Sequence, residues 1–150
     1  MSKLKEELYN MCIDIVQKRI NEAKLAINDA QDAAEEESKS SAGDKYETAR
    51  EMMQQESDRN QAQLNEANKL MVALSKISYS STVEQADAGS VIETSNGNFF
   101  LAISAGSLVA GGKTFFAVSP ASPIGAKLIG RKIGDEFSLN DRAYRVEKVS

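Results

Sequence analysis

The stretch SPIGAKLIGRKIGDEF, residues 122–137, carries the signals that decide the fold of the second half of the chain. Ser122 followed by Pro123 is typical of a helix N-cap and the first helical position, and Gly130 is typical of a helix end. A short helix is therefore predicted between Ser122 and Gly130. The residues that follow, GRKIGDEFSL (130–139), predict a turn and then a strand.

The sequence on both sides of this helix favours strands. GSVIETSNGNFFLAI (89–103) has two β-prone runs around Asn96-Gly97, which predicts a hairpin. KTFFAV (113–118) and RAYRVEKV (142–149) predict further strands, and SAGSLVAGG (104–112) predicts a loop. Residues 78–150 are thus expected to form a small α+β domain with an antiparallel sheet. Most of its core is expected from Phe99, Phe100, Phe115, Phe116, Phe137 and Tyr144.

The first half has a different period. Apolar residues alternate in steps of three and four, which is a heptad pattern. Its members are Ile13, Val16, Ile20, Ala23, Ile27, Ala30 and Ala34, with Tyr9 extending it backwards. A second helix is predicted from Asp44, with a seam that weakens over the polar run ESDRNQAQ (56–63). Its apolar stripe then resumes with Leu64, Ala67, Met71, Leu74 and Ile77.

Residues 1–77 are therefore expected to form an antiparallel coiled-coil hairpin with its tip near 38–45, where Ser38, Ser40 and Ser41 favour a turn. At 1.5 Å per residue, helices of ~32 residues extend roughly 50 Å, so the hairpin is expected to project. A monomer is expected. The alternative is a coiled-coil adaptor that dimerises through residues 9–34.

Charge and composition narrow the possible functions. The net charge is −4; residues 1–77 hold 15 acidic and 11 basic residues, and residues 78–150 hold seven of each. An acidic hairpin disfavours direct binding to nucleic-acid phosphates, so contact with nucleic acid is expected only through a protein. The sequence has no histidine, which excludes histidine-based catalysis and histidine-ligated zinc.

The N-terminal residues and the cysteine usage favour the cytoplasm. The start of the chain lacks the apolar core of a signal peptide, and no apolar run approaches the ~20 residues of a membrane span. The lone Cys12 cannot form an internal disulfide and is interpreted as a small hydrophobic residue beside the seam.

A long helical hairpin followed by a sheet domain ending in SPIGAKLIGRKIGDEF…YRVEKV resembles the Gre transcript-cleavage factors of bacteria. The resemblance lies in Ser122-Pro123-Ile124-Gly125, Leu128-Ile129-Gly130, Lys132 and Gly134-Asp135-Glu136. The tip sequence GDKYETAR (43–50) looks like the family's tip region, although the match is looser there.

The resemblance implies an FKBP-like C-terminal domain that binds RNA polymerase, with Ser122, Pro123, Arg131 and Lys132 as partner-binding candidates. It implies a coiled coil that enters the secondary channel of the polymerase. Tip carboxylates would there share a Mg²⁺ with the polymerase and stimulate cleavage of backtracked RNA. By position these are Asp44 and Glu47, which would act as both catalytic and metal-binding residues. The chain would have no cofactor of its own and would not be an enzyme by itself.

Two alignments of the tip remain open. Asp44 and Glu47 either match the family's acid pair, or Tyr46 matches the family's tyrosine and the catalytic acids are missing. Lys45, between the two acids, would repel a metal. In the second case the protein would occupy the channel without stimulating cleavage. The family also carries an acid before Ser-Pro where this chain has Ala121.

Structural interpretations also fit several of these residues. Asp44 and Glu47 have the spacing of a capping box. Glu35-Glu36-Glu37 is interpreted either as solvated surface or as part of an acidic tip, and Arg131 with Lys132 either as a solvated turn or as a partner-binding patch. A prolyl isomerase is a further functional alternative, disfavoured because most aromatic residues are needed for the core.

Overall fold

The computed structural model describes residues 3–40, 44–77 and 84–150, except for the side chains of Ala34 and of residues 36–40 and 44–46. Two long helices are followed by a six-stranded mixed sheet and one short helix, which confirms the predicted α+β class. Within the described ranges, none of the helices combines the length and the apolar character that crossing a membrane requires.

The chain separates into two compact units. The first, here called the sheet unit, comprises Met1–Ile15 and Val72–Ser150, and the second, the helical unit, comprises Val16–Met71. Both long helices therefore contribute to both units. The predicted domain boundary between residues 77 and 78 adjoins residues outside the described part of the chain and stays a prediction.

The two long helices are α1 (Lys3–Ser40) and α2 (Asp44–Ser75), and neither contains Gly or Pro. Within the helical unit, α1 residues 19–23 share a cavity with α2 residues 63–70, and α1 residues 26–33 share another with α2 residues 53–56. Because the numbers rise along α1 as they fall along α2, the helices are antiparallel, as predicted. In the sheet unit, the Tyr9 hydroxyl donates to the Leu74 carbonyl at 3.0 Å.

Burial follows the predicted heptad seam closely in the helical unit. Val16, Ile20 and Ala23 of α1 are buried, as is Ala67 of α2. Ile27 and Ala30 are partly buried, and Ala34 lies outside the described side chains. In the region of α2 where the seam was predicted to weaken, the heptad spacing continues with a polar residue. Asn60, seven residues before Ala67, is buried with 8% of its surface exposed.

The helices are longer at their junction than the sequence predicts. Ser38 and Ser40, predicted as turn formers, belong to α1, which leaves residues 41–43 between the helices. The prediction for Ser41 falls outside the described residues. Serine costs a helix only a few tenths of a kcal/mol relative to alanine, so its presence does not force a turn (~0.5 kcal/mol).

The second half forms six strands and a short helix. These are β1 (Val91–Thr94), β2 (Gly97–Leu101), β3 (Gly106–Ala110), β4 (Lys113–Val118), α3 (Pro123–Leu128), β5 (Glu136–Leu139) and β6 (Arg142–Val149). The strand order is β3-β4-β2-β1-β6-β5. Four pairings are antiparallel, but β2 pairs with β4 in parallel, so the sheet is mixed rather than purely antiparallel as predicted.

One face of the sheet packs against α3. Its core contains three of the predicted aromatic residues, with Phe137 stacked on Tyr144 at 5.0 Å between ring centroids and Phe99 edge-on to Tyr144 at 6.2 Å. Leu128 of α3 is fully buried in this cluster. Phe116 lies at the margin of this face with 45% of its surface exposed, so it contributes less to the core than predicted.

The opposite face of the sheet is also buried. Val91, Phe100 and Phe115 point to this face and have 1% of their surface exposed or less. Leu8, Cys12 and Leu74, from the helix ends that belong to the same unit, are fully buried as well. Leu4 reaches the β3–β4 turn, where a Cβ added at Gly111 would lie 3.9 Å from its Cδ1.

Strand β3 is the clearest departure from the predicted fold, since residues 104–112 were expected to be a loop. The pairing of Gly106–Ala110 with β4 buries only Leu108 and Ala110, while the rest of the strand is exposed. An edge strand of small residues gives almost no alternating apolar signal, so its composition favours a loop.

The β1–β2 hairpin forms as predicted, but its turn lies one residue earlier than the Asn96-Gly97 pair. Thr94 pairs with Gly97, so Ser95 and Asn96 make the turn. The Thr94 hydroxyl accepts from the Asn96 N–H at 3.1 Å and donates to the Gly97 carbonyl at 2.7 Å. The Thr94 side chain thus supports the turn, while Gly97 adopts a φ of +125°, which favours glycine.

We expect Gly125→Ala to be among the most damaging alanine substitutions in this fold. A Cβ at position 125 would overlap the backbone carbonyl of Ser119. The expected loss of unfolding free energy is about 3 kcal/mol or more, because neither backbone segment can move freely. Gly130→Ala is the matched control: Gly130 has φ +79° but open space around it, so ~1 kcal/mol is expected. Urea unfolding measures both, and equal losses would contradict the predicted overlap.

Cys12 should give the protein a distinctive loss of stability at alkaline pH. Burial raises the pKa of its thiol from 9.0 to about 11. Above pH 9 the unfolded chain loses this proton while the folded chain keeps it, so the unfolding free energy falls as pH rises from 9 to 11. Burial lowers the pKa of Lys5, which acts in the opposite direction.

Comparison with Cys12→Ala isolates the thiol, because Lys5 is present in both proteins. Urea unfolding between pH 8 and 11 should show wild type losing stability relative to the variant. A constant difference between the two proteins over this range would show that the thiol is not protected from ionisation.

Candidate functional site

The two predicted tip acids lie at the start of α2. Asp44 is the first residue of the helix, and Glu47 follows three residues later, so both belong to its first turn and a half. Residues three apart on a helix are neighbours on its surface. Glu47 is exposed, whereas the side chain of Asp44 lies outside the described side chains. The capping-box interpretation of this pair therefore stays a prediction.

The described side chains at the tip do not form a complete metal site. Among the described residues there is no group of three or more Asp, Glu, His or Cys side chains that could hold a metal ion. Glu35, near the end of α1, and Glu47, near the start of α2, are both exposed. Mg²⁺ keeps several waters and is often held by one or two protein carboxylates. The shared Mg²⁺ at Asp44 and Glu47 stays a prediction, because the side chain of Asp44 lies outside the described side chains.

Ser122 occupies the N-cap of α3, as the sequence predicts. Its hydroxyl accepts from the Gly125 N–H at 3.1 Å and donates to the Ser119 carbonyl at 2.6 Å. Pro123 is the first helical residue and is exposed. The Ser122 hydroxyl therefore has a structural role, while the ring of Pro123 is available to a partner.

Arg131 is held by two interactions within the protein. Its Nε donates to the Lys127 carbonyl at 2.7 Å, and its guanidinium lies 5.2 Å from the centre of the Phe137 ring. Cation–π contacts of this kind contribute about 0.5–1 kcal/mol at exposed sites. Arg131 thus extends the stacked pair of Phe137 and Tyr144, a role that the sequence does not reveal.

Lys132, next to Arg131, is exposed. Its backbone N–H donates to the Asp135 carboxylate at 2.9 Å, which fixes the backbone but not the lysine side chain. Of the two basic residues, Lys132 is therefore the better candidate for a partner contact. The four partner-binding candidates lie at the two ends of α3, about 9 Å apart along a six-residue helix.

An open groove of about 550 Å³ lies beside Lys132. It is also lined by Ile129, and Glu84 and Asp87 stand on its other side. Ala86 makes two backbone hydrogen bonds with the segment after α3. Its N–H donates to the Arg131 carbonyl at 2.8 Å, and its carbonyl accepts from the Gly130 N–H at 2.7 Å. The sequence did not predict this groove, because it depends on residues 84–87 pairing with the segment after α3.

Two isoleucines extend the exposed apolar surface near this groove. Ile129 is 41% exposed and Ile133 is 65% exposed, and both flank the basic pair. In the sequence, these two isoleucines stand on either side of Gly130 and Lys132. That arrangement predicts a turn rather than a binding surface.

No protein-family model matches this chain, and no curated protein sequence matches it either. The Gre resemblance therefore rests on the motif residues themselves.

Replacing Ser122 with alanine should destabilise the protein without changing the surface around Pro123. The hydroxyl makes two hydrogen bonds that alanine cannot make, so a loss of about 1–2 kcal/mol in unfolding free energy is expected. Ser138→Ala, at an exposed position of β5, is the matched control and should change stability by less than about 0.5 kcal/mol. Equal effects of the two substitutions on urea unfolding would argue against the N-cap.

Proposed function

We propose that this protein regulates bacterial RNA polymerase by inserting its helical hairpin into the secondary channel, in the manner of the Gre factors. The observation that supports the proposal best is that two features occur in one chain. The Gre-like string forms a capped helix on a mixed sheet, in a chain that begins with two long antiparallel helices. Neither half alone would favour this function, since hairpins and small sheets are each common.

The sheet unit would supply the polymerase contact. Pro123 at one end of α3 and Lys132 at the other are exposed, and the exposed Ile129 lies between them. The position before Ser122 is Ala121, so this contact would lack the acid that the Gre family carries there. The contact would instead combine apolar surface with one positive charge.

The helical unit would supply the tip. Asp44 and Glu47 are the residues that would hold a Mg²⁺ together with the polymerase, where the metal would stabilise the attacking and leaving oxygens of RNA cleavage. The exposure of Glu47 supports this assignment, because a carboxylate that shares a metal with a partner must reach beyond its own chain. Lys45 opposes it, since a positive charge beside the site repels a cation.

The tip defines two versions of the proposal. If both carboxylates hold the metal, the protein stimulates the polymerase to cut backtracked RNA and is itself no enzyme. If Lys45 prevents metal binding, the hairpin occupies the channel and blocks it. Both versions imply a cytoplasmic protein that meets nucleic acid only through the polymerase.

The prolyl-isomerase alternative has less support. Phe99, Phe137 and Tyr144 are between 91% and 93% buried in the core of the sheet unit, with 7%, 9% and 8% of their surfaces exposed. Rings that fill a core do not line a pocket for a substrate proline.

The proposal is tested with purified bacterial RNA polymerase, by pull-down and by an RNA-cleavage assay on a backtracked complex. The wild-type chain should bind the polymerase. The double variant Asp44→Asn with Glu47→Gln should bind equally well, because it keeps the sheet unit intact. If wild type stimulates cleavage, the double variant should lose about a hundredfold in cleavage rate.

The double variant Asp32→Asn with Glu51→Gln is the matched control, since it removes two exposed acids elsewhere on the same helices and should keep both binding and cleavage. Failure of wild type to bind the polymerase would reject the proposal. Cleavage that survives in the tip variant would reject these two acids as ligands. Binding of wild type without cleavage would select the version in which the hairpin blocks the channel.

A further inference from the structure

The helical unit has an open groove along one side of its two helices. Two cavities mark it, one of about 300 Å³ between α1 residues 19–23 and α2 residues 63–70, and one of about 350 Å³ between α1 residues 26–33 and α2 residues 53–56. All of these residues lie in Val16–Met71, so the groove belongs to a single compact unit.

The heptad positions place both cavities on the same side. On α1, Ala26 lines the second cavity and is seven residues after Arg19, which lines the first. On α2, Gln63 of the first cavity is seven residues after Glu56 of the second. Residues seven apart in a coiled coil face the same direction. The two cavities are therefore parts of one groove, here called the third-helix groove.

The floor of this groove is narrow and mostly apolar. Ala23 and Ala30 of α1 and Ala67 of α2 line it, and they project no further than a methyl group. Helices whose contacts are made by small side chains approach to about 8 Å between their axes. A helix of a partner can thus lie in the groove in close contact with both α1 and α2.

A buried polar residue lies between the two cavities along α2. Asn60 is 8% exposed and occupies the heptad position of Met53 and Ala67, which line the two cavities. No hydrogen bond joins its side-chain amide to another group in the described part of the chain. A buried asparagine in a coiled coil specifies the register of its partner and lowers stability. Because no side-chain N or O atom among the described residues is buried without a hydrogen-bond partner, the Asn60 amide reaches solvent, and a polar side chain of a partner helix can replace that water.

The charges that line the groove are mainly acidic. Glu22 and Glu66 surround the first cavity with Arg19, and Asp29 and Glu56 surround the second, which gives four acids to one base. Two further bases stand nearby. Arg59 has the heptad position of Glu66, and Lys18 lies 3.9 Å from Glu22 in an exposed pair. The charged residues that line the second cavity are both acids, so this cavity is the most negative part of the groove.

We propose that the third-helix groove binds an amphipathic helix of another protein. This helix carries a stripe of small apolar residues flanked by lysine or arginine. The alanine floor accepts the stripe, the acidic rim attracts the basic flanks, and the Asn60 amide bonds to one polar side chain in the middle of the stripe. The exposed Met52, which has the heptad position of Glu66 and is 65% exposed, becomes covered at the rim. This inference does not depend on the polymerase proposal.

A second copy of the same hairpin fits the groove less well. Residues 16–71 hold 12 acidic and eight basic residues, so two copies repel each other. A basic helix removes this repulsion and replaces it with attraction across the rim. Charge therefore selects a partner of different composition.

The test uses the full chain and a fluorescent synthetic helix of about four heptads, long enough to be helical when bound. Its stripe contains Ala and Leu with one central Asn, and its flanking positions carry Lys. A second peptide with Glu at the flanking positions is the control. Fluorescence anisotropy should show binding of the Lys peptide, weakened as salt rises from about 0.05 to 0.5 M, and no binding of the Glu peptide.

Two variants of the protein locate the binding surface. Asp29→Asn with Glu56→Gln removes two rim charges without changing side-chain volume and should weaken binding about fivefold. Asp32→Asn with Glu51→Gln removes the same number of charges from positions that line neither cavity and should change affinity less than about twofold. Circular dichroism checks that both variants retain their helices.

A third variant tests the floor. Ala26→Arg places a long basic side chain in the groove and should weaken binding about tenfold or more, whereas Gln31→Arg, at an exposed position outside both cavities, should not. The proposal is overturned if the Glu peptide binds as well as the Lys peptide, or if the two double variants behave alike. It is also overturned if sedimentation shows a dimer of the chain that Ala26→Arg disrupts, because a second copy would then fill the groove.

Discussion

Ile92 and Phe99 on one face of the sheet and Val91 and Phe100 on the other are all buried, so neither face is left to water at its centre. Each such side chain contributes roughly 1.5–3 kcal/mol when it is fully buried. Helix α3 is too short to cover more than part of one face. The ends of the long helices belong to the same compact unit, which is why Leu8, Cys12 and Leu74 are buried there. The sheet and the base of the hairpin therefore depend on each other for stability.

The need to bury both faces of the sheet also explains why the part of the hairpin in the sheet unit differs from the part in the helical unit. In the sheet unit, α1 is buried at Leu8 and Cys12 as well as along its seam. Even Lys5 is only 3% exposed there, and this burial lowers its pKa. Within the helical unit each helix has only the other to cover its apolar stripe. A pair of helices leaves one flank of its seam open, and here small alanine side chains make that flank a groove rather than a ridge.

The sequence predicted best those features that depend on neighbouring residues. The Ser122 cap of α3, the two helices and the strands rich in β-branched or aromatic residues all follow from local pattern, and the structure contains them. It predicted poorly the features that leave little apolar pattern in the sequence. Strand β3 is an exposed edge strand made of small residues, Arg131 lies over the Phe137 ring, and the polar Asn60 is buried at a position of the seam. At the tip, prediction identified Asp44 and Glu47 as candidates, and the ambiguity in their alignment comes from residues 41–46 rather than from the fold.

The charge distribution connects the tip with the groove. The acids of residues 1–77 exceed the bases by four, whereas residues 78–150 are balanced, so the negative potential belongs to the hairpin. Beside RNA phosphates such a hairpin is repelled unless a cation lies between them, and this holds for either version of the polymerase proposal. A metal at the tip would neutralise the acids at one point only. A basic helix along the groove would neutralise them along its length, because at physiological salt a charge is screened beyond ~8 Å and the tip cannot compensate for the rim. The two sites would thus reduce the same repulsion independently, and loss of one would leave the other functional.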